Sequence, residues 1–139
     1  MTVTLTAPPA VTATVAGPPI AAPVVYTGTG AFRSPSGNIA CAMFASDVRC
    51  DVADHSWVAP PKTLDCHLDW GSRFKLAQGG GAVFDCYAQE LPAPEQILGY
   101  GDSRTLGSIT CDSESTGMTC TDGNTGHYFR ISRETYEIG

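Results

Sequence analysis

The sequence has little positive charge. It contains 8 Lys and Arg against 14 Asp and Glu, and its net charge is −6. Proteins that bind nucleic acids or anionic membrane surfaces use clustered basic side chains to contact phosphate groups, and no such cluster occurs here. Charged residues of both signs make up 16% of the 139 residues, below the average of about 25% in soluble proteins. We therefore expect no nucleic-acid partner, and we expect part of the uncharged surface to be covered.

Long apolar runs are also absent. No segment reaches the roughly 20 residues that an apolar helix needs to span a bilayer. The first residues, Met1-Thr2-Val3-Thr4-Leu5-Thr6-Ala7-Pro8-Pro9, have neither the basic start nor the uninterrupted apolar stretch of a secretion signal. We therefore expect no membrane insertion, and we expect delivery by a route other than a signal peptide.

The sequence has none of the closely spaced cysteine pairs that are typical of zinc sites. It has six cysteines, and an even number in a short chain favours a disulfide framework and an oxidising environment. Many pairings are compatible with six cysteines. The local spacing favours three of them: Cys41–Cys50, Cys66–Cys86 and Cys111–Cys120.

Two of these cysteine pairs lie in the same local frame, Gly-x-Ile-x-Cys-x8-Cys, which begins at Gly37 and again at Gly107. If the two cysteines of each frame face one another on antiparallel strands, tight turns fall near Ala45-Ser46 and near Ser115-Thr116. Cross-strand neighbours are close enough for a disulfide only at the pairs that are not hydrogen-bonded. The repeated frame is also consistent with an internal duplication.

Residues 31–139 are predicted to form a series of short strands. Runs of β-branched and aromatic residues alternate with Gly, Pro, Asp, Asn and Ser, a pattern typical of all-β domains. We expect an all-β fold, a small disulfide-stapled sandwich or barrel of short antiparallel hairpins, with one helical turn near residues 95–98. The expected strands cover residues 38–44, 47–52, 73–76, 82–87, 108–113, 118–122 and 128–132.

Residues 1–30 differ in composition from the rest, since the first charged side chain in the chain is Arg33. Pro-Pro pairs separate two stretches, Thr2-Val3-Thr4-Leu5-Thr6 and Val11-Thr12-Ala13-Thr14-Val15, in which apolar and polar residues alternate as in a strand with one apolar face. We interpret residues 1–30 as an extended docking arm that binds another protein; the alternative is a low-complexity tail. The predicted apolar contacts of the arm are Val3, Leu5, Val11, Val15, Ile20, Val24 and Val25.

Three features could carry chemistry, and each has a simpler structural explanation. Gly101-Asp102-Ser103 resembles the nucleophile motif of some esterases, but the same residues are common in turns. The histidines His55, His67 and His127 lack the helical spacing of metalloprotease ligands. Asp122-Gly123-Asn124-Thr125-Gly126 lacks the later Glu of a calcium-binding EF-hand. We therefore predict no catalytic residue, no metal and no cofactor, and a small hydrolase remains a third class of hypothesis.

Exposed aromatic residues are a further group of candidates, because aromatic side chains are enriched in protein interfaces. They are equally suited to the core of a small β domain. The residues that could form a surface for a glycan, a protein or a host-cell ligand are Trp57, Trp70, Tyr100 and Tyr128.

A string of short motifs runs through residues 31–139. It consists of Phe32-x-Ser34-Pro35-Ser36-Gly37-Asn38-Ile39-x-Cys41, Arg49-Cys50-Asp51-Val52, His55-x-Trp57, Pro60-Pro61, Cys66-x-Leu68-Asp69-x-Gly71, Leu98-Gly99-Tyr100-Gly101, Gly117-x-Thr119-Cys120 and Thr125-Gly126-His127-x-Phe129-x-x-Ser132-Arg133-x-x-Tyr136. Together these motifs resemble a small cysteine-rich domain of mycobacterial exported proteins and lipoproteins that is also carried by actinobacterial phages. The resemblance implies no enzymatic activity and supplies no catalytic residues.

The function we expect is structural. Where exported members of that family begin with a signal, this sequence has an uncharged arm, which favours a virion component of an actinobacterial phage. In this interpretation residues 1–30 dock onto the major capsid protein, a tail protein or another copy, and residues 31–139 are displayed on the virion surface. A capsid decoration protein is the first expectation and a minor tail protein the second. The alternative is a secreted binding module of an actinobacterial cell envelope.

Overall fold

The computed structural model describes residues 22–139, which form twelve β-strands and no helix. Every second side chain of the regular strands enters the core, as the two-residue period of a strand requires. No helix that could cross a membrane is present in this part of the chain. The strands are β1 (Val25–Thr27), β2 (Gly30–Arg33), β3 (Ile39–Met43), β4 (Asp47–Val52), β5 (Arg73–Ala77), β6 (Ala82–Phe84), β7 (Gln96–Ile97), β8 (Ser103–Leu106), β9 (Ile109–Glu114), β10 (Gly117–Asp122), β11 (Tyr128–Ile131) and β12 (Tyr136–Ile138).

The strands form two six-stranded sheets that pack face to face. The first sheet has the order β1-β8-β9-β10-β11-β12, and the second has the order β6-β5-β4-β3-β2-β7. Neighbouring strands are antiparallel except for two parallel pairs, β1 with β8 and β2 with β7. The all-β prediction is confirmed. Because each sheet ends in two edge strands, the domain is a sandwich and not a closed barrel.

The two hairpins that carry the repeated cysteine frame have the predicted register. Cys41 faces Cys50 in the β3–β4 hairpin, and Cys111 faces Cys120 in the β9–β10 hairpin. Each pair is joined by a disulfide with its Cα atoms 4.0 Å apart, as in pairs that are not hydrogen-bonded. The third disulfide joins Cys66 to Cys86.

The two sheets repeat one another strand for strand. Strands β2 to β6 and strands β8 to β12 each form an antiparallel meander in the same register, so that Cys50 faces Phe74 in one and Cys120 faces Phe129 in the other. Each meander also carries one short parallel strand beside its first strand. That strand comes from the other half of the chain: β1 precedes β2 but pairs with β8, and β7 precedes β8 but pairs with β2.

The core lies where the equivalent residues of the two halves meet. The Sγ atoms of Cys50 and Cys120 are 4.0 Å apart, and the ring centroids of Phe74 and Phe129 are 5.6 Å apart. Burial of each large apolar side chain stabilises a fold by about 1.5–3 kcal/mol, so this contact between sheets is a main source of stability. The largest fully buried apolar side chains are Phe32, Phe74, Phe129, Leu76, Leu98, Ile109, Met118, Ile131, Val48 and Val52.

Two short strands lie where the sequence predicts other structures. The predicted helical turn near residues 95–98 is wrong, because Gln96–Ile97 forms strand β7. The N–H groups of the flanking residues Glu95 and Leu98 donate to the carbonyls of Ala31 and Arg33 in β2. Strand β1 lies within residues 1–30, so the described end of the predicted arm is part of a sheet.

A buried carboxylate joins the two sheets at one end of the sandwich. Asp122 of β10 is fully buried, and its carboxylate accepts hydrogen bonds from the N–H of Asn124 at 2.9 Å and from the N–H of Gly79 at 2.8 Å, in the β5–β6 turn of the other sheet. The hydrogen bonds from Gly79 and then Asn124 lower the pKa of Asp122 from 3.8 to about 2. The segment that begins at Asp122, whose sequence is similar to part of a calcium-binding loop, is therefore a hydrogen-bonded turn.

We expect Asp122→Asn to destabilise the protein at neutral pH, with an effect that fades in acid. The folded-state pKa is lower than the unfolded value, so the ionised carboxylate stabilises the fold above pH 4 and loses this contribution as the pH falls towards 2. Urea unfolding at pH 7, 4 and 2 measures the difference from the wild type. Glu134→Gln, at an exposed carboxylate, is the control. A difference that is equal at all three pH values would contradict this assignment.

We expect the two hairpin disulfides to contribute equally to stability. Each closes a loop of about ten residues, for which the chain-entropy model gives about 2–3 kcal/mol. The double substitutions Cys41→Ala with Cys50→Ala, and Cys111→Ala with Cys120→Ala, should therefore lower the free energy of unfolding by similar amounts in urea titrations. Because Cys50 and Cys120 are in contact, removing both disulfides should not give the sum of the two effects. An additive result would show that the two hairpins are energetically independent.

Candidate functional site

Of the four candidate aromatic residues, Trp57 packs against the hydrophobic core and makes the most contacts with other aromatic rings. Its ring stacks on His55 at a centroid distance of 3.6 Å and meets the edge of Tyr136 at 4.9 Å. Its Nε1–H donates at 2.8 Å to the carbonyl of Ser132, which directly follows β11 of the other sheet. A tryptophan with its ring packed and its N–H paired anchors its loop. The Trp57 contacts explain why the loop after β4 lies against both sheets.

Trp70 lies at the surface beside the same core. Its ring is half-buried, 5.7 Å from the ring of Phe84, and its Nε1–H donates to the carbonyl of Pro60 at 2.9 Å. Phe84 also contacts Trp57 at 6.1 Å. The structure therefore brings the two tryptophans together around Phe84, and both are partly buried against the core.

The two candidate tyrosines lie apart from this cluster. Tyr100 precedes β8, is about half exposed, and borders a polar cleft of about 390 Å³. Tyr128 is half-buried on β11, and its hydroxyl donates to Glu137 of β12, an interaction that raises the pKa of Tyr128. The four aromatic residues therefore do not form one surface. Residues that line the polar cleft include Asn38, Asp54, Tyr100, Glu114, Arg133 and Glu134.

The esterase-like motif forms a turn at the start of β8. The N–H of Gly101 donates to the carbonyl of Ser113, and the Asp102 carboxylate accepts the N–H of Val24 at 2.9 Å. The Ser103 hydroxyl donates to the carboxylate of Asp112 at 2.6 Å on the adjacent strand. These contacts give all three motif residues a structural role at the edge where β1 joins the first sheet.

The histidines and acidic residues form no metal-binding group in residues 22–139. His55 makes ring hydrogen bonds to the Trp57 carbonyl at 2.8 Å and the Ser72 hydroxyl at 3.4 Å, so it is held within its loop. His67 is exposed, and Nδ1 of His127 lies 3.3 Å from the carbonyl oxygen of Gly139.

An apolar groove of about 500 Å³ lies along β6 and is the strongest candidate for a binding site. Trp70 and the Cys66–Cys86 disulfide line it on the side of the loop between β4 and β5, and Val83 and Phe84 line it on the side of β6. Pockets of this size with a mainly apolar lining typically bind apolar groups. Its other lining residues are Pro60, Pro61, Thr63 and Asp65.

The groove lies where the internal repeat is broken. Residues 53–72 connect β4 to β5, whereas only residues 123–127 connect the equivalent strands β10 and β11. The long connection supplies Pro60, Cys66 and Trp70, none of which has a counterpart in the second half of the chain. The repeated strands build the two sheets, and this additional segment, which is anchored on them by Trp57, supplies the groove.

Strand β6 is the edge of its sheet, and its outer side is unpaired in the described part of the chain. The N–H of Asp85 donates to the carbonyl of Arg73 in β5. In an antiparallel pair, successive residues direct their N–H and C=O groups alternately towards the partner strand and away from it. The N–H and C=O groups of Ala82 and Phe84 therefore point away from β5. Val83 projects from the opposite face of the strand and is half exposed. The groove therefore adjoins a strand that can accept another strand.

Sequence reasoning did not identify this groove. Val83 lies between Ala82 and Phe84, which a two-residue period places in the core, so its outward direction was readable from the alternation. The sequence could not predict that Pro60 and Trp70 line the groove, because their positions depend on the path of an irregular loop.

Of the seven predicted arm contacts, Val24 and Val25 lie in the described part of the chain. Val25 belongs to the edge strand β1 and Val24 precedes it, and both are exposed. The other five, Val3, Leu5, Val11, Val15 and Ile20, lie outside the described residues.

Comparisons with family models, with curated proteins and with solved structures find no match to the chain. The motif resemblance therefore remains a prediction from the sequence.

Proposed function

We propose that the protein is a non-enzymatic structural component of an actinobacterial phage virion. Its N-terminal arm docks onto neighbouring subunits, and the disulfide-linked sandwich is displayed on the outside of the particle. The observation that carries this proposal is the junction of the two parts: the sequence before the edge strand β1, residues 1–24, contains no charged side chain.

The edge position of β1 favours a docking role for the residues before it. A segment that enters a domain at a sheet edge can extend away from the domain, so both parts can engage different neighbours at once. Val24 and Val25 continue the apolar character of the arm into the sheet edge, where both are exposed. An edge strand presents unpaired backbone N–H and C=O groups, with which another chain can pair.

The properties of the sandwich suit a displayed unit. Three disulfides and a core shared by both sheets make it resistant to unfolding outside a cell. The negative charge of the chain lies entirely after residue 30, because the first charged side chain is Arg33. A capsid decoration protein is the form of this proposal that we favour, and a minor tail protein is the second.

We expect the chain to sediment with purified particles of the phage that carries it, and we expect this association to need the apolar face of the arm. Leu5→Asp with Val11→Asp should abolish the association, because it places charge on the apolar side of each alternating stretch. Gradient-purified particles, analysed by immunoblotting with an antibody against the sandwich, provide the measurement.

The matched control is Thr4→Asp with Thr12→Asp, which adds the same charge to the opposite side of the same stretches and should leave the association intact. If the chain is missing from purified particles, the virion proposal is wrong. If both double variants bind equally well, the arm is not the docking element.

A secreted cell-envelope binding module is the second candidate function, and the polar cleft beside Tyr100 favours it. An exposed tyrosine next to Asp54 and Glu114 offers a flat apolar face and hydrogen-bond acceptors together, a combination suited to a sugar. If this function is correct, Tyr100→Ala should reduce binding to actinobacterial cell-wall glycan at least tenfold, whereas Tyr100→Phe should retain most of it. Isothermal titration with solubilised glycan provides the measurement, and no binding by the wild type would exclude this function.

A further inference from the structure

We propose that the groove beside β6 is the receptor for the N-terminal arm of a second copy of this chain. An alternating stretch of residues 1–21 would pair with β6 as an added strand, so that copies associate arm to groove. This inference rests on the proposed docking role of the arm and names its partner and its site.

The unpaired side of β6 provides the backbone part of this site. Ala82 and Phe84 present N–H and C=O groups away from β5, which is the pattern that an added antiparallel or parallel strand requires. Recognition of an extended segment by a sheet edge uses these main-chain hydrogen bonds for affinity and side-chain pockets for specificity. The groove lined by Trp70 and Phe84 supplies the pocket.

The pattern of the arm matches this arrangement. Alternate side chains of an added strand point to the same side of the sheet. In Thr2-Val3-Thr4-Leu5-Thr6 one side carries the apolar residues and the other side carries threonines. With Val3 and Leu5 directed towards Phe84 and Trp70, the threonines lie on the solvent face with Val83.

The equivalent edge in the other half of the chain is protected against such pairing, whereas β6 is not. By register, Val83 of β6 corresponds to Glu137 of β12, since they face Lys75 and Arg130 respectively. Glu137 lies 3.8 Å from the Arg130 guanidinium in an exposed ion pair. Charged residues on an edge strand discourage pairing with another chain, so β6, with the exposed Val83 in this place, lacks the protection of β12.

The position of the arm favours a second copy over the same copy. Strand β6 packs near β12, since the rings of Phe84 and Tyr136 are 5.1 Å apart, and β12 is the edge opposite β1 in the first sheet. Strand β1, which follows the arm in the chain, therefore lies on the side of the sandwich away from the groove. Its 21 undescribed residues span at most about 70 Å when extended, enough to reach the groove of a neighbour. Such a contact joins two different surfaces, so repeated contacts form a ring or an open chain of copies.

The first test compares the self-association of full-length wild type, Val83→Glu and Ile97→Glu by sedimentation velocity over a range of concentrations. Val83→Glu copies the protection that β12 has, and we expect it to raise the dissociation constant at least tenfold. Ile97 is about as exposed as Val83 but lies on the edge strand β7, so Ile97→Glu should associate like the wild type. Equal association of all three proteins would overturn the proposal.

A second measurement identifies the occupant directly. A photo-crosslinking amino acid replaces Val83 in an unlabelled full-length chain, which is mixed with a ¹⁵N-labelled wild-type chain and irradiated. Mass spectrometry should find position 83 linked to residues 1–21 of the labelled chain. Links only within the unlabelled chain would show that the arm binds its own groove, and links to other regions would show that the groove has another occupant; either result overturns the proposal.

The two proposals can fail separately. If the wild type stays monomeric at all concentrations but still binds phage particles through the apolar face of the arm, the second-copy assignment is wrong and the docking function stands. If arm-dependent binding to particles is also absent, both proposals are wrong.

Discussion

Each half of the chain contributes one short strand to the sheet of the other half, and the rest of the structure depends on this exchange. Arg104 of β8 holds both exchanged strands, because its guanidinium donates to the carbonyls of Gly28 and Thr29 after β1 and to the side chain of Gln96 in β7. Gly30 leaves room for the Arg104 guanidinium in this position. Its φ is 144°, and a Cβ atom there would lie 2.7 Å from the guanidinium. Neither sheet is complete without the other half of the chain, so the two sheets must form together.

The disulfides act at a different level from this exchange. Cys41–Cys50 and Cys111–Cys120 each fix a hairpin whose strands are adjacent in sequence, so they restrict the unfolded chain locally. The exchanged strands instead pair across large sequence separations, and pairing of that kind is slow to form and sensitive to every intervening element. When disulfides already hold the hairpins together, the chain has fewer conformations in which the exchanged strands are still to find their partners.

The same distinction explains what the sequence predicts and what it does not. The register of the β3–β4 and β9–β10 hairpins was predictable, and their strand bounds to within one residue, because cysteine spacing and a two-residue alternation are local signals. Strands β1 and β7 have three and two residues, too few for any period, and β8 is half-buried at all four positions, so it shows no alternation either. The sequence could not show that Trp57 bridges to the other half of the chain and that Trp70 lines the groove, because both contacts depend on the path of one irregular loop. The groove was unpredictable for the same reason.

Internal repeats make it possible to separate what the fold needs from what it has added. Positions that agree between the halves, such as Phe74 with Phe129, lie in the core and are explained by packing. The two halves also differ, and two of the differences meet at the groove: residues 53–72 have no counterpart in the second half, and Val83 of β6 stands where β12 has the charged Glu137. An unprotected edge carries a risk of unwanted pairing, and a long loop adds conformational entropy that folding must overcome. Both disadvantages occur at one place in one half of the chain, beside a groove that a strand can fill, which is the arrangement expected of a surface that binds a strand.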